Sequence, residues 1–299
     1  MEIDKELQEA INLQQQGNFN EAIRVYEEIL KKNPNLAEVQ NNLGILLKSL
    51  NRLDEAEKIF TKTISLKPDF IHAHYHMGNT KYKLRKFDES EHCYKKAISL
   101  NSNFIEAYIN LSRAQRELGK LKEAEENARF ALNLSPDFYE SNNQLGLILF
   151  DRGRSSDDLQ NKSLEKLNEA KKIILKAINL KPDHPLSHLN YGLILQELGD
   201  LSGAKNSLQK SLQLDSNSFL AQYNLDILLK QINLLNEMGI NPNLKENLNS
   251  NFKKRFSKNP FITHRTPNKE LINLLYKINS TELNKTKGGP LFGNGKTSD

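Results

Sequence analysis

Seven polar side chains with hydrogen-bonding capacity recur along the chain at nearly constant spacing. Successive members are 34 residues apart, except for one gap of 46. A carboxamide carries both donors and an acceptor, so one such group can pair with the C=O and the N–H of an extended backbone. The spacing therefore predicts one main-chain contact with a bound polypeptide per repeating unit. The alternative is that these groups only satisfy polar contacts between neighbouring units. The seven residues are Gln8, Asn42, His76, Asn110, Gln144, Asn190 and Asn224.

A histidine-rich segment around the third of these positions suggests a second kind of chemistry. On a helix, His72 and His76 share one face at a separation that can chelate zinc. The histidine between them points elsewhere, and no third ligand is near in sequence, so we expect no metal and no cofactor. Tyr75, Asn79 and Tyr82 extend the same stretch. We predict that they contact a peptide selectively, because aromatic rings add contact area at little entropic cost.

Two arginines could receive a carboxylate or a phosphate from a partner. Arg113 and Arg116 are candidate peptide-binding residues because a guanidinium forms strong bidentate bonds with such groups. Glu106 and Glu117 fall on the same predicted helix face, which favours an internal ion-pair network. The charges expected on this face are mixed in sign, so the sequence does not predict a uniform track for a polyanion.

The sequence contains no recognisable catalytic motif. We find no phosphate loop, nucleophile elbow, paired-histidine helix with a glutamate, or dinucleotide fingerprint. The sequence GNGK near residue 293 is too short to cradle a phosphate. We therefore predict that these 299 residues are not an enzyme.

The elements that position these side chains follow from a repeat of 34 residues. Prolines at 34, 68, 136 and 182 mark the ends of units, and one unit contains 12 additional residues. Each unit has a small residue, such as Gly44, followed 12 residues later by a second one, such as Ala56. Four residues further along stands a large apolar residue, such as Phe60. Small residues let two antiparallel helices approach closely, and the large residue fills the seam with the next pair. Gly17, Gly119 and Gly199 mark the turn between the helices.

This pattern resembles the tetratricopeptide repeat (TPR), for example in the run NNLGILLKSLNRLDEAEKIFTKTISLKPDF. The resemblance covers residues 3–238. It implies an all-α fold, a right-handed α-solenoid of antiparallel helix pairs, with the seven polar positions on its concave surface. The tryptophan usual in the first helix of a TPR is missing. Residues such as His74, Tyr108 and His188 occupy its place, which predicts looser packing there.

The repeat predicts a solenoid over residues 1–239 with six helix pairs. The pairs begin near residues 3, 37, 71, 105, 139 and 185, and a lone helix over about 219–238 caps the stack. We interpret the insertion at about 152–163 as three added turns of one second helix, with a disordered loop as the alternative. Apolar spacing predicts short basic helices over 240–280, including Lys253, Lys254 and Arg255. Residues 281–299 read as a disordered tail or the start of a linker.

The predicted groove resembles the asparagine-lined superhelix of O-linked N-acetylglucosamine transferases, which holds extended substrate polypeptide. The matching residues are Asn42, Asn110, Asn190 and Asn224, whereas Gln8, His76 and Gln144 depart from that pattern. No lysine stands where TPR proteins that grip a chaperone's terminal carboxylate require one, so we do not predict such a clamp. We expect apolar groove contacts from Tyr75, Tyr82, Ile109, Phe150 and Leu193.

Two other functions remain open at this level. The sequence after residue 260 resembles the connector of bacterial proteins that join TPRs to a 2-oxoglutarate/iron oxygenase-like domain. The chain could therefore be the substrate-recruiting N-terminal module of a longer glycosyltransferase or oxygenase-like enzyme. Self-association through the end of the lone helix, around Leu225, Leu228 and Leu235, is the third hypothesis.

Composition and charge narrow the range of partners. The net charge of +5 divides into +7 for residues 240–299 and −2 for the remainder, so the body lacks the dense cationic stripe of a nucleic-acid groove. One cysteine, Cys93, excludes an internal disulfide, and the acidic, amphipathic first residues argue against a secretory signal. We therefore expect a cytoplasmic monomer that binds an extended protein or peptide, with no nucleic-acid or membrane partner.

Overall fold

The computed structural model describes residues 2–155 and 160–237, with side chains described from residue 163 in the second range. Within these ranges the chain forms thirteen α-helices and no strand. They are α1 (Glu2–Gln15), α2 (Phe19–Lys32), α3 (Ala37–Ser49), α4 (Leu53–Leu66), α5 (Ile71–Lys83), α6 (Phe87–Leu100), α7 (Ile105–Glu117), α8 (Leu121–Leu134), α9 (Tyr139–Arg154), α10 (Gln160–Leu180), α11 (Pro185–Glu197), α12 (Leu201–Leu214) and α13 (Phe219–Glu237).

The turns between the two helices of a pair require a left-handed backbone residue. Gly17, Gly119 and Gly199 have φ of 82°, 73° and 83°, a conformation that glycine adopts without steric cost. Asn51 and Arg85 take the same place in the second and third pairs with φ of 60° and 59°. The turn is therefore kept even where the sequence offers no glycine.

The helices stack as a one-dimensional solenoid. Each helix packs against the next in sequence, and from α3 onward each odd-numbered helix also packs against the next odd-numbered one. The odd-numbered helices therefore form one continuous wall, the inner wall, which is the concave surface implied by the repeat. The all-α solenoid of six helix pairs and a lone last helix is as predicted.

The close crossing within each pair depends on the small residues found in the sequence. A Cβ placed on Gly44 would lie 2.7 Å from the Phe60 ring, and one placed on Gly78 would lie 2.6 Å from the Tyr94 ring. Both rings are buried, so the large residue packs on the glycine of its own pair and not on the seam with the next pair. The second small residue of each pair is fully buried at the same crossing: Ala22, Ala56, Ser90, Ala124, Ala170 and Ala204.

The residues in the tryptophan slot are bonded to the turn that precedes them. In four units the slot side chain donates a hydrogen bond, 2.7–2.9 Å long, to the carbonyl of the proline six residues earlier. Tyr108, whose unit has no such proline, stacks on Phe130 at 4.5 Å between ring centroids. The prediction of looser packing is therefore wrong at these slots. The bonded pairs are Gln40–Pro34, His74–Pro68, Asn142–Pro136 and His188–Pro182.

The insertion in the fifth unit lengthens both of its helices. The helix α9 has 16 residues and α10 has 21, whereas their counterparts α7 and α8 have 13 and 14. The added residues are thus shared between the helices, and not all placed in the second one as predicted. Leu167 of α10 is buried against Gly153 of α9, which extends the close crossing by one more contact. The loop alternative concerns residues 156–159, which lie outside the described residues.

The predictions for the C-terminal region fall outside the described part of the chain, which ends at residue 237. This applies to the basic helices of 240–280, to Lys253, Lys254 and Arg255, and to the tail of 281–299. Among the described helices, none combines the length and the apolar character needed to cross a membrane. Leu225, Leu228 and Leu235 are buried in the core, so they are not the apolar surface on which the self-association hypothesis rested.

The crossing at Gly78 gives a prediction about stability. We expect Gly78→Ala to lower the free energy of unfolding by about 1–3 kcal/mol, because the added methyl group displaces the Tyr94 ring. In a Tyr94→Ala background the same substitution should be neutral or stabilising, since the obstructing ring is gone and alanine favours a helix. Urea unfolding of the parent, both single variants and the double variant measures this coupling. An equal effect of Gly78→Ala in both backgrounds would contradict it.

Candidate functional site

The seven predicted positions all lie on the inner wall, one on each odd-numbered helix, but their accessibility changes along the solenoid. Gln8 is exposed, and Asn42, His76 and Asn110 are half-buried. Gln144, Asn190 and Asn224 are buried, with 4%, 9% and 1% of their surface exposed. The wall therefore has an open N-terminal half, formed by α1, α3, α5 and α7, and a closed C-terminal half, formed by α9, α11 and α13.

The first two amides of the open half are the least constrained. Gln8 donates from Nε2 to Oδ1 of Asn12 at 3.0 Å, along the exposed surface of its own helix. Asn42 forms no hydrogen bond with any described residue, although its side chain is half-buried. Its donor and acceptor groups are both available to a ligand.

Asn110 belongs to a polar network that joins two layers of the inner wall. Its Nδ2 donates to the Tyr75 hydroxyl at 3.1 Å and to Oδ1 of Asn79 at 2.9 Å. The hydroxyl of buried Tyr94 donates to the same Asn79 oxygen at 2.7 Å. The carboxamide of Asn110 is therefore held in one orientation, with both N–H groups used and its own oxygen left as an acceptor.

The amides of the closed half are used by the solenoid itself or shielded by it. Asn190 donates to Oδ1 of Asn143 on the preceding inner helix at 3.2 Å. Asn224 donates to the carbonyl of Leu220 in its own helix at 2.7 Å. Nε2 of Gln144 is buried and has no hydrogen-bond partner among the described residues. A ladder with one accessible amide in every layer is therefore not what this half presents.

His76 interrupts the amide series and brings a lysine to the inner wall. Its ring stacks on Phe60, with centroids 6.0 Å apart, and the Lys48 ammonium donates to its Nδ1 at 3.3 Å. An ammonium has no acceptor, so Nδ1 is unprotonated and the ring proton lies on Nε2. Burial, together with the positive charges of Lys48 and His72, lowers the pKa of His76 to about 3. The imidazole is therefore neutral at physiological pH.

The neighbouring candidate residues divide between internal and accessible roles. Tyr75 and Tyr82 are half-buried on the inner wall, and the Tyr82 hydroxyl donates to Glu117 at 3.5 Å. Arg116 is largely buried in an ion pair with Asp151, so its predicted role as a peptide ligand competes with this internal one. Arg113 is exposed and makes no ion pair with a described residue.

Other expected contacts are inaccessible. Ile109, Phe150 and Leu193 are buried, with 4%, 1% and 4% of their surface exposed, and belong to the core and not to the groove surface. The rings of His72 and His76 lie with centroids 6.5 Å apart. No group of three or more potential metal ligands occurs among the described residues.

The signal for the closed half was present in the sequence only indirectly. Asp151 and Glu197 follow arginines at the ends of inner helices. Arg116 pairs with Asp151, and Arg154 lies 3.3 Å from Glu197. These pairs link successive inner helices near their C-terminal ends. Their partners are 35 and 43 residues apart, so only the repeat period could have indicated the pairing.

The neutral state of His76 predicts a pH dependence of stability. Its folded-state pKa is lowered, so the unfolded chain binds a proton that the folded chain does not, and stability falls as the pH drops from about 6.5 towards 3. We expect His76→Gln to reduce this loss, measured as urea midpoints at successive pH values. His92→Gln, which changes an exposed imidazole on the outer helix α6, is the matched control. Parallel curves for the parent and His76→Gln would contradict the assignment.

Comparison with known proteins supports the fold that the geometry shows. Models described as Tetratricopeptide repeat match residues 13–80, 72–104, 93–126, 161–184 and 186–218. A search of curated proteins gave no significant match.

Several solved structures are similar to this chain at low sequence identity. PilW, described as a widely conserved type IV pilus biogenesis factor, is 18% identical over 75% of this chain and 99% of its own, with a TM-score of 0.64. PilF of Pseudomonas aeruginosa is 15% identical over 74% and 95%, with a TM-score of 0.60. A chain of the APC/C hetero-tetramer Cut9–Hcn1 is 20% identical over 82% and 48%, with a TM-score of 0.62. Such likenesses establish the fold alone. Together with the repeat matches across most of the helices, they show that the chain belongs to the tetratricopeptide repeat family.

Proposed function

We propose that this solenoid is a protein-interaction scaffold that holds an extended polypeptide segment against the open half of its inner wall. The observation that carries the proposal is Asn42. This residue lies half-buried on the inner wall, and neither its donor nor its acceptor is used by a described residue. A carboxamide in that position offers a backbone both of the bonds that a strand neighbour would offer.

The spacing of the layers suits an extended chain. Successive inner helices are about one helix diameter apart, roughly 10 Å. An extended polypeptide covers that distance in about three residues. Asn42 and Asn110 are two layers apart, so they would contact peptide units about six residues apart. Between them Asn110 is already oriented by Asn79 and Tyr75, which reduces the entropy lost on binding.

The closed half has a different part in this proposal. Asn190 bonds to Asn143 across two inner helices, and Arg116 pairs with Asp151 across two others. These contacts fix the layers relative to one another and so set the curvature of the wall. In this proposal the C-terminal half is the rigid support, and the open half is the binding surface.

Amide contacts alone give limited affinity. Each hydrogen bond contributes about 0.5–1.5 kcal/mol net, whereas micromolar binding requires about 8 kcal/mol. Additional side-chain contacts are therefore needed. Tyr75 and Tyr82 are the accessible aromatic groups on the same wall, and their rings would cover the segment between the layers of Asn42 and Asn110.

The proposal predicts that Asn42→Ala/Asn110→Ala weakens peptide binding by about tenfold while the helix content is kept. The probe is a set of N-acetylated, C-terminally amidated 12-residue peptides selected by the parent from a random phage-displayed library. Binding is measured by fluorescence polarisation. The control is Asn20→Ala/Asn133→Ala, which removes two exposed asparagines from the outer helices α2 and α8.

Asn110 also supports Asn79, so the single variant Asn42→Ala is measured beside the double variant to separate binding from local structure. Circular dichroism and melting midpoints report on the fold. Equal affinity of the parent and the Asn42→Ala variant for the selected peptides would overturn the proposal, as would a failure of the parent to select any peptide.

A further inference from the structure

The cations of the inner wall are neutralised in one half of the solenoid and not in the other. In the closed half, Arg154 of α9 lies 3.3 Å from Glu197 of α11. Arg116 of α7 pairs with Asp151 of α9. In each case a cation on one inner helix meets a carboxylate on the next. The positive charge at this edge of the wall is thereby compensated within the chain.

The corresponding lysines of the open half have no such compensation. Lys48 stands on the last turn of α3 and Lys83 at the end of α5. Neither forms an ion pair with a carboxylate in residues 2–155 or 160–237. Lys81, two residues before Lys83, does pair with Glu57 at 2.7 Å, but that contact is with the outer helix α4. The missing carboxylates are thus a feature of the inner wall.

Lys48 is the less stable of the two charges. It is half-buried, and burial together with the charge of Lys83 lowers its pKa. Its ammonium has three donors, and within the described residues it uses one of them, toward Nδ1 of His76. A partly desolvated cation without a counter-ion is costly, and a carboxylate supplied by a ligand would offset that cost.

The position of this ammonium connects it with the proposed peptide path. It lies 3.3 Å from the His76 ring, the one member of the series that is not an amide, between the layers of Asn42 and Asn110. The acids of the neighbouring inner helices are distant. Glu38 is ten residues before Lys48 on the same helix, about 15 Å away along the axis. Glu106 stands in the first turn of α7, also at the opposite edge of the wall.

The remaining charged groups near the site are cationic or already engaged. His72 carries an exposed imidazole one turn from His76, and exposed Arg113 lies on the next inner helix. Glu117 of that helix is engaged by the Tyr82 hydroxyl and lies 3.6 Å from Arg116. The local field therefore favours a negative ligand group.

We propose that Lys48, His76 and Lys83 form a subsite for the carboxylate of an aspartate or glutamate side chain in the bound segment. This inference rests on the proposed function and adds its chemical selectivity. A side chain, and not a chain terminus, is the expected occupant, because open layers continue on both sides of the subsite, at Gln8 and Asn42 and at Asn110. A segment that follows these layers passes the two lysines without ending there.

The subsite predicts that parent-selected, C-terminally amidated peptides share an acidic residue at one fixed position. Replacing that residue by its amide should weaken parent binding by about tenfold or more. The variant Lys48→Gln/Lys83→Gln should bind the acidic peptide about as weakly as the parent binds the amide peptide. It should not distinguish the two peptides. Binding is measured by fluorescence polarisation at two salt concentrations, since an ion pair weakens as salt increases.

The matched control is Lys58→Gln/Lys96→Gln, which removes the same charge from exposed positions on the outer helices α4 and α6. It should retain the parent's preference for the acidic peptide. Loss of the preference in this control would overturn the subsite, because it would reflect net charge alone. A preference kept by Lys48→Gln/Lys83→Gln would overturn it as well.

The outcomes separate this inference from the proposed function. If Asn42→Ala weakens binding but the two lysines do not affect the acidic preference, the groove stands and the subsite fails. Selection of peptides that bind only with a free terminal carboxylate overturns the side-chain assignment. If the parent selects no peptide, both proposals fail.

Discussion

The close approach of two helices at a residue without a side chain is the constraint on which the rest of the structure depends. At Gly44 and Gly78 a Cβ would lie less than 3 Å from a buried ring of the partner helix. This approach buries the aromatic rings and brings Ser90 within 2.8 Å of the Gly78 carbonyl. Because one pair cannot bury both of its faces, the pairs must stack. Stacking in turn places one position of every first helix on a common inner wall.

Once that wall exists, its function depends on which polar groups the solenoid uses for itself. The same sequence position is accessible at Asn42, bonded to a neighbouring layer at Asn190 and buried at Asn224. The cations behave in the same way, since Arg116 is compensated by Asp151 on the next inner helix. Groups that are satisfied internally stabilise the stack, and those left unsatisfied are available to a partner. The functional asymmetry of the groove is thus a consequence of how its hydrogen bonds and charges are distributed.

The slots that lack tryptophan illustrate how one substitution alters packing without weakening it. Gln40 and His74 replace a large apolar contact by a hydrogen bond to the carbonyl of the preceding proline. The interaction ties the start of one unit to the end of the previous one, so it serves the same purpose as the missing ring. A sequence pattern shows that the expected residue is absent. It does not show which polar group six residues earlier lies within reach.

The sequence by itself determined the period, the helix pairs, the positions of the close crossings and the residue on each inner helix that faces the concave side. These features follow from local spacing, because a helix repeats every 3.6 residues and only small residues allow two backbones to approach. Only the tertiary structure decided that Gln144 and Asn224 are buried and that Lys48 lies against His76 without a counter-ion. Accessibility and ionic compensation depend on side chains that are tens of residues apart in the chain. Their distances are set by the stacking of whole layers, which no local pattern specifies.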